Sequence, residues 1–124
     1  MLTHATLIAF IATEKPDQAR RFYEETLGLR LIEDTEFAFV FDAGGTMLRV
    51  QKVPEWKPSQ GTVLGWRVRD LESFAQRLMA HDVRPERYPY FAQDDFGIWH
   101  TPDGSKVLWF KDPDDNTLSL TEFG

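Results

Sequence analysis

An α+β fold made of two βαβββ modules, with their strands in a curved mixed sheet, is the architecture this sequence predicts. Two observations carry the prediction. The order strand, helix and then further strands is legible twice along the chain, with the halves offset by roughly 55 residues, longer than the period of stacked repeat arrays. Between them lies a segment without periodicity that carries Pro54, Pro58, Ser59 and Gly61 and reads as a linker. At 124 residues the chain matches one domain, so any duplication shares a single fold. The expected organisation is module 1 over about 1–53, a linker over about 54–61 and module 2 over about 62–124.

Leu7 to Ala12 is a short apolar run bounded by polar residues, as in a largely buried strand. Thr13 to Asp17 then opens a helix: Thr13 or Asp17 can cap it, Pro16 suits its first turn, and Ala19, Phe22, Tyr23 and Leu27 recur at helical spacing. Gly28 ends it, as a left-handed C-terminal position requires. Strands follow at Arg30 to Asp34, Phe37 to Phe41 and Met47 to Lys52, the last two joined by the turn Asp42-Ala43-Gly44-Gly45. After the linker the order recurs. Thr62 to Val68 is a strand, Asp70 to Ala80 a helix, and Val83 to Tyr88 begins the next strands. Phe96 to His100 and Lys106 to Lys111 form a hairpin around Thr101-Pro102-Asp103-Gly104, and Thr117 to Thr121 closes the sheet.

Composition excludes several functions. The formal net charge is −6 and no basic run exceeds the pair Arg20-Arg21, which argues against a nucleic-acid partner because phosphate binding needs a concentrated basic face. The absence of cysteine rules out disulfides and thiolate metal sites and suits a cytoplasmic location. The apolar N-terminal run is too short to span a membrane, and the features of a signal peptide are missing around it, so no membrane role is expected. Aromatics reach 14%, with ten Phe and four Trp, more than a core of this size needs, which leaves some to line a ligand cavity.

Several motifs converge on one family. Phe22-Tyr23-Glu24-Glu25-Thr26-Leu27-Gly28-Leu29 resembles the FYxxxLGL helix end of glyoxalase I, bleomycin-resistance proteins and extradiol dioxygenases. Val68-Arg69-Asp70-Leu71 precedes the second helix, and Trp109-Phe110-Lys111-Asp112-Pro113-Asp114-Asp115-Asn116 is close to the family's WFKDPDGN. In this order, across nearly the whole chain, they resemble the vicinal oxygen chelate superfamily. Asp115 and Asp82 stand where the family usually has Gly, and both are expected in a left-handed backbone, which Asp tolerates. Residues 112–116 read as a turn, since no acidic ligand follows at the spacing of an EF-hand loop.

The resemblance implies a cup lined by the sheet, with metal ligands from the first and last strand of each module. Those positions fall on Ile8, on or beside Arg49, on Val63 and on Ser119. None is the His or Glu that a divalent ion in such a site requires, so no metal and no cofactor are expected. Histidine offers no substitute set: His4 precedes the first strand, His81 ends the second helix, and only His100 lies on a strand expected to face the cup.

With the family's inward positions as register, Ile8, Phe10 and Ala12 face the cup from the first strand. Met47, Arg49 and Gln51 do so from the fourth, Val63, Gly65 and Arg67 from the fifth, and Thr117, Ser119 and Thr121 from the last. Phe37, Phe39 and Phe41 alternate on one face of the third strand, and Trp99 or His100, with Trp109, flanks from the other module. The candidate ligand-binding set is thus Phe10, Phe39, Arg49, Arg67, Trp99, Trp109 and Ser119. Arg49 and Arg67 suit a carboxylate or other planar anion, which a guanidinium binds as a fork; the structural alternative is pairing with Asp or Glu at a strand end. His100 is a candidate general base, although no carboxylate adjoins it at an obvious orienting position in the sequence.

The expectation is a metal-free binding protein that holds an aromatic or planar anionic small molecule, as bleomycin-resistance relatives sequester their drug. The alternatives are a metal-independent isomerase or lyase using Arg49, Arg67 or His100, and a metal-dependent glyoxalase or dioxygenase. The resemblance also implies a homodimer, because paired modules are common in the superfamily.

Overall fold

In the computed structural model, which describes all residues Met1–Gly124, the N-terminal apolar run forms β1 (Ile8–Thr13). Thr13 turns the chain out of it: its Oγ1 accepts the Lys15 N–H at 2.9 Å. Pro16 then opens α1 (Pro16–Arg21), which no side chain caps. Its last residues widen into a single π-type turn, Phe22–Thr26, and Gly28 ends it at φ 71°, where a Cβ is disfavoured. The strands β2 (Arg30–Asp34), β3 (Ala38–Ala43) and β4 (Thr46–Lys52) follow. They give a four-stranded sheet of order β1-β4-β3-β2, with β1 parallel to β4 and the other pairs antiparallel.

Strand alternation divides this sheet into two chemically distinct faces. Ile11, Leu48, Val50, Phe39 and Phe41 share one face by register and are all buried, as are Ala19, Phe22 and Tyr23 of the helical segment. The Tyr23 and Phe41 rings meet at 5.9 Å between centroids. Each such side chain removed from water contributes about 1.5–3 kcal/mol. The other face carries Ile8, Phe10, Val40, Met47 and Arg49 by register; Ile8, Phe10 and Met47 on it are exposed, while Val40 is buried.

The second unit repeats the plan. β5 (Thr62–Arg67), α2 (Leu71–Ala80), β6 (Trp99–His100), β7 (Lys106–Lys111) and β8 (Thr117–Glu122) form a sheet of order β5-β8-β7-β6, with β5 parallel to β8. Leu71, Ala75 and Leu78 of α2 are buried, as are Leu108, Phe110, Leu118 and Leu120 on the strands it packs against. The chain divides into two compact units, Met1–Lys57 and Pro58–Gly124, and the division falls inside the Pro-rich segment. No helix is long and apolar enough to cross a membrane.

Several local expectations are corrected. Phe37 lies outside β3 and is 72% exposed, because the Thr35 hydroxyl accepts the N–H groups of Phe37 and Ala38 and bends the chain there. The segment Val83 to Tyr88 does not form a regular strand: the Val83 N–H bonds to the Leu78 carbonyl at 2.9 Å, the Glu86 N–H to the Trp109 carbonyl at 2.8 Å, and the Tyr88 N–H to the Gln93 side chain at 2.8 Å. The strand expected over Phe96 to His100 shrinks to Trp99–His100, since Asp94 draws the preceding N–H groups into a turn. The helix expected from Asp70 begins at Leu71, with Asp70 at φ 54° just before it and no cap from the Asp70 side chain. The Glu122 carboxylate accepts the Leu71 N–H instead, at 2.8 Å.

Asp82 and Asp115 stand at φ 61° and 64°, the left-handed backbone read from the sequence. Residues 112–116 form a buried turn in which Asp112 Oδ1 accepts the N–H groups of Asp114 and Asn116, and its Oδ2 accepts Asn116 Nδ2–H, each at 2.9 Å.

Candidate ligand-binding site

The uncovered face of the first sheet brings Phe10 and Arg49 together. They are Cα partners on β1 and β4, with Ile8 beside Met47 in the same register. Val40 pairs with Arg49 from β3. Ile8, Phe10, Ile32 and Met47 are 44%, 53%, 51% and 41% exposed, unusual for side chains that gain by leaving water. A depression of about 220 Å³ lies on this face, bounded by Arg30, Ile32, Val40 and Met47 among others. Arg20, Arg30 and Lys52 of the unit all pair with Asp or Glu side chains. Arg49 has no such partner and stands half-buried among apolar groups.

Phe39 does not belong to this face. It is 2% exposed and packs beside Phe41 at 6.5 Å between centroids, with Lys52 Nζ 4.3 Å from its ring centre. The alternation that turns Arg49 outward turns Phe39, the partner of Val50, towards the helix.

In the second sheet, Trp99 pairs with Val107, Trp109 with Ser119, and Ser119 with Gly65, which sets Trp99, Trp109, Ser119 and Arg67 on one face. A Cβ on Gly65 would lie 2.8 Å from Ser119 Oγ, so glycine there leaves room for the hydroxyl. Arg67 lies over the Phe123 ring at 5.4 Å. With Arg69, Asp70 and Glu122 it also lines a polar groove of about 500 Å³. Val63 stands at the register shift between Thr62 and Leu64, 38% exposed.

His100 follows Trp99 on β6, so alternation sends it to the opposite side. Its Nε2 lies 2.9 Å from Asp94 Oδ2, which supplies the carboxylate partner that the sequence reading missed. Asp94 Oδ1 accepts the N–H groups of Phe96 and Ile98, both at 2.9 Å. Partial burial alone would raise the Asp94 carboxyl. The hydrogen bonds from His100, Ile98 and Phe96, with the His100 charge, outweigh it and hold the group below the usual carboxylate range.

The sequence reading also missed an aromatic cluster over Trp99 and Trp109. Phe91 lies against Trp99 at 4.2 Å and against Trp109 at 5.2 Å, the latter within 7° of parallel, while Tyr88 meets Trp109 edge-on at 5.4 Å. Burial, then the neighbouring Glu86 and Tyr90, push the Tyr88 hydroxyl pKa upward. The signal for this cluster was present as the dense run Tyr88-Pro89-Tyr90-Phe91, in a segment whose lack of periodicity gave its rings no direction.

The superfamily implies a divalent metal in such sheets, and the residues present do not fit one. Ile8 and Val63 have no donor atom, Arg49 carries a positive charge, and Ser119 is a lone neutral hydroxyl. No group of three or more His, Cys, Asp or Glu side chains converges to hold an ion.

A βαβββ unit repeated with the same strand order, each copy leaving one sheet face free of its helix, defines a class of paired-module proteins. The family model for the Glyoxalase/Bleomycin resistance protein/Dioxygenase superfamily matches residues 2–120. The chain belongs to that superfamily. No curated protein sequence matches it. Among solved structures, a glyoxalase family protein from Bacillus anthracis is 20% identical, with 100% of both chains covered and a TM-score of 0.75. Lactoylglutathione lyase from Agrobacterium tumefaciens is 17% identical over 97% of this chain and 95% of that one, with a TM-score of 0.74. The genomically encoded fosfomycin resistance protein from Listeria monocytogenes is 9% identical over 97% and 93%, with a TM-score of 0.75. At these identities the likeness is one of fold.

Proposed function

We propose that this chain is a metal-free small-molecule binding protein whose uncovered sheet faces hold an aromatic or planar anionic ligand. The observation that carries the reading is Arg49, a guanidinium without a carboxylate partner, set beside Phe10 and among the exposed apolar residues Ile8 and Met47. Apolar walls with one fixed cation suit a flat organic anion: the walls supply burial, and the fork supplies orientation. Sequestration of this kind needs no catalytic group. We read the protein as a cytoplasmic homodimer, from its lack of cysteine and from the pairing of modules that is common in the superfamily.

A second reading, a metal-independent isomerase or lyase, draws on the His100–Asp94 hydrogen bond, since a carboxylate fixes the orientation of an imidazole base. Its weakness is position, because alternation turns His100 away from the face that carries Trp99.

The test is a thermal-shift screen against aromatic and acidic metabolites. A ligand at 100 times its dissociation constant stabilises the fold by about 2.7 kcal/mol. A charge-assisted hydrogen bond is worth about 1.5–3 kcal/mol, so Arg49→Ala weakens an anionic ligand by about 10-fold or more. A shift left intact in Arg49→Ala removes Arg49 from the site. Turnover of a bound compound that is lost in His100→Ala favours the enzyme instead, and sedimentation or light scattering reads the dimer.

A further inference from the structure

The ring cluster of the second unit has the form of a site filled by the chain itself. Trp99 and Trp109 lie within 22° of parallel at 6.1 Å on the uncovered face, and Phe91 makes a third nearly parallel ring against both. The segment that delivers Phe91 is fixed at its base and loose at its tip. At the base, Gln93 Nε2 donates to the carbonyls of Glu86 and Gly97 at 2.8 and 2.7 Å, and its Oε1 accepts the Tyr88 N–H at 2.8 Å. Asp94 closes the other side through Phe96, Ile98 and His100.

The tip runs from the side chain of Tyr88 to Phe91. Beyond the Tyr88 N–H bond to Gln93, it is held by one turn hydrogen bond, Phe91 N–H to the Tyr88 carbonyl at 3.1 Å, and by ring contacts, with Tyr90 74% exposed. The tip can therefore lift while the base stays bonded.

We propose that Trp99 and Trp109 form a stacking subsite for a flat aromatic acid, and that Phe91 is a placeholder which such a ligand displaces. Stacked rings exchange one for another at little cost, because every flat π-face offers similar dispersion and quadrupole contacts. Arg67 supports the acid group: it shares this face, in the row Arg67, Thr121, Val107, Trp99, about 10 Å from β7 at two strand spacings. The inference rests on the proposed function and names the ligand class for one part of it.

The probe is 2-naphthoate, titrated by calorimetry into wild type, Phe91→Ala and Phe91→Leu, with circular dichroism confirming that each variant is folded. Removing the placeholder releases two stacked ring pairs, so Phe91→Ala is expected to bind about tenfold tighter than wild type. Phe91→Leu, which keeps volume but not the flat ring, is expected to lie between them and holds the test open should the alanine variant not fold. Adding Trp109→Leu to the tighter variant is expected to abolish the gain. Binding by wild type that neither Phe91 variant improves overturns the placeholder and leaves the binding function standing. A gain that survives Trp109→Leu overturns the subsite. Binding by none of the proteins overturns both.

Discussion

Asp112→Ala is the substitution whose cost can be worked most directly from the structure. The carboxylate is 5% exposed and its partner Asn116 is 1% exposed. It accepts three hydrogen bonds at 2.9 Å: the N–H groups of Asp114 and Asn116 on one oxygen, and the Asn116 side-chain amide on the other. Alanine leaves three buried donors without that acceptor, at about 1–3 kcal/mol each. Water entering the vacated space returns part of this, so the expected loss is about 3–5 kcal/mol. That is a large share of the roughly 5–15 kcal/mol that holds a domain folded, and it corresponds to a fall in Tm of about 10–20 °C. Urea unfolding read by tryptophan fluorescence and by circular dichroism measures it. Asp112→Asn is the control: its carbonyl oxygen can still accept the two backbone donors, but its amide would face the Asn116 amide donor, so it should fall between wild type and alanine. A loss below about 1 kcal/mol in Asp112→Ala would refute the view that this carboxylate organises the turn.

Asp115 stands at φ 64°, where a Cβ costs about 1 kcal/mol and glycine does not carry that strain; Asp115→Gly is expected to raise stability by about 0.5 kcal/mol in the same urea assay. Gly97 stands at φ +83°, and a Cβ there would lie 2.4 Å from the Pro85 side chain. Gly97→Ala is therefore expected to cost at least about 2 kcal/mol and to speed amide exchange in residues 86–98. The Asp94 carboxyl is held below its ordinary value, so its contribution is full above the unfolded-state pKa of about 3.9 and is lost as pH falls through the lower folded value. Protection factors of the Phe96 and Ile98 amides should fall over that acid range in wild type, and should already be low at neutral pH in Asp94→Ala.

Much of the fold was legible because its signals are local. The apolar run of β1, the helical spacing of Ala19, Phe22 and Tyr23, and the glycine at 28 each restrict the backbone without reference to distant residues. The left-handed aspartates at 82 and 115 were readable from the resemblance, since they stand where the family has glycine and Asp tolerates that conformation. What misled was the repeat of the element order. Val83 to Tyr88 was read as a strand by its place in that order, yet Pro85 offers no N–H and Gln93 occupies three of the hydrogen-bonding groups there and beside it. A side chain several residues away decided the conformation, and no local pattern marks glutamine for that task.

The site divides along the same line. Arg49 and Phe10 were placed by counting alternate positions from the inward register that the resemblance implies, and the parallel register of β1 and β4 makes them partners. Phe39 failed by one step of the same count. It lies on β3 opposite Val50, and a one-residue difference in where a strand enters the sheet exchanges its faces completely. Phe91 and Asp94 were out of reach for a different reason: both lie in an irregular segment where period gives no direction. Phe91 reaches Trp109 only because Glu86 bonds to the Trp109 backbone and Gln93 closes the loop between them. The regular strands therefore set out a surface that sequence periodicity can describe. The irregular segment decides which part of that surface is covered, and the contribution of Phe91 to ligand choice follows from hydrogen bonds that no hydrophobic pattern encodes.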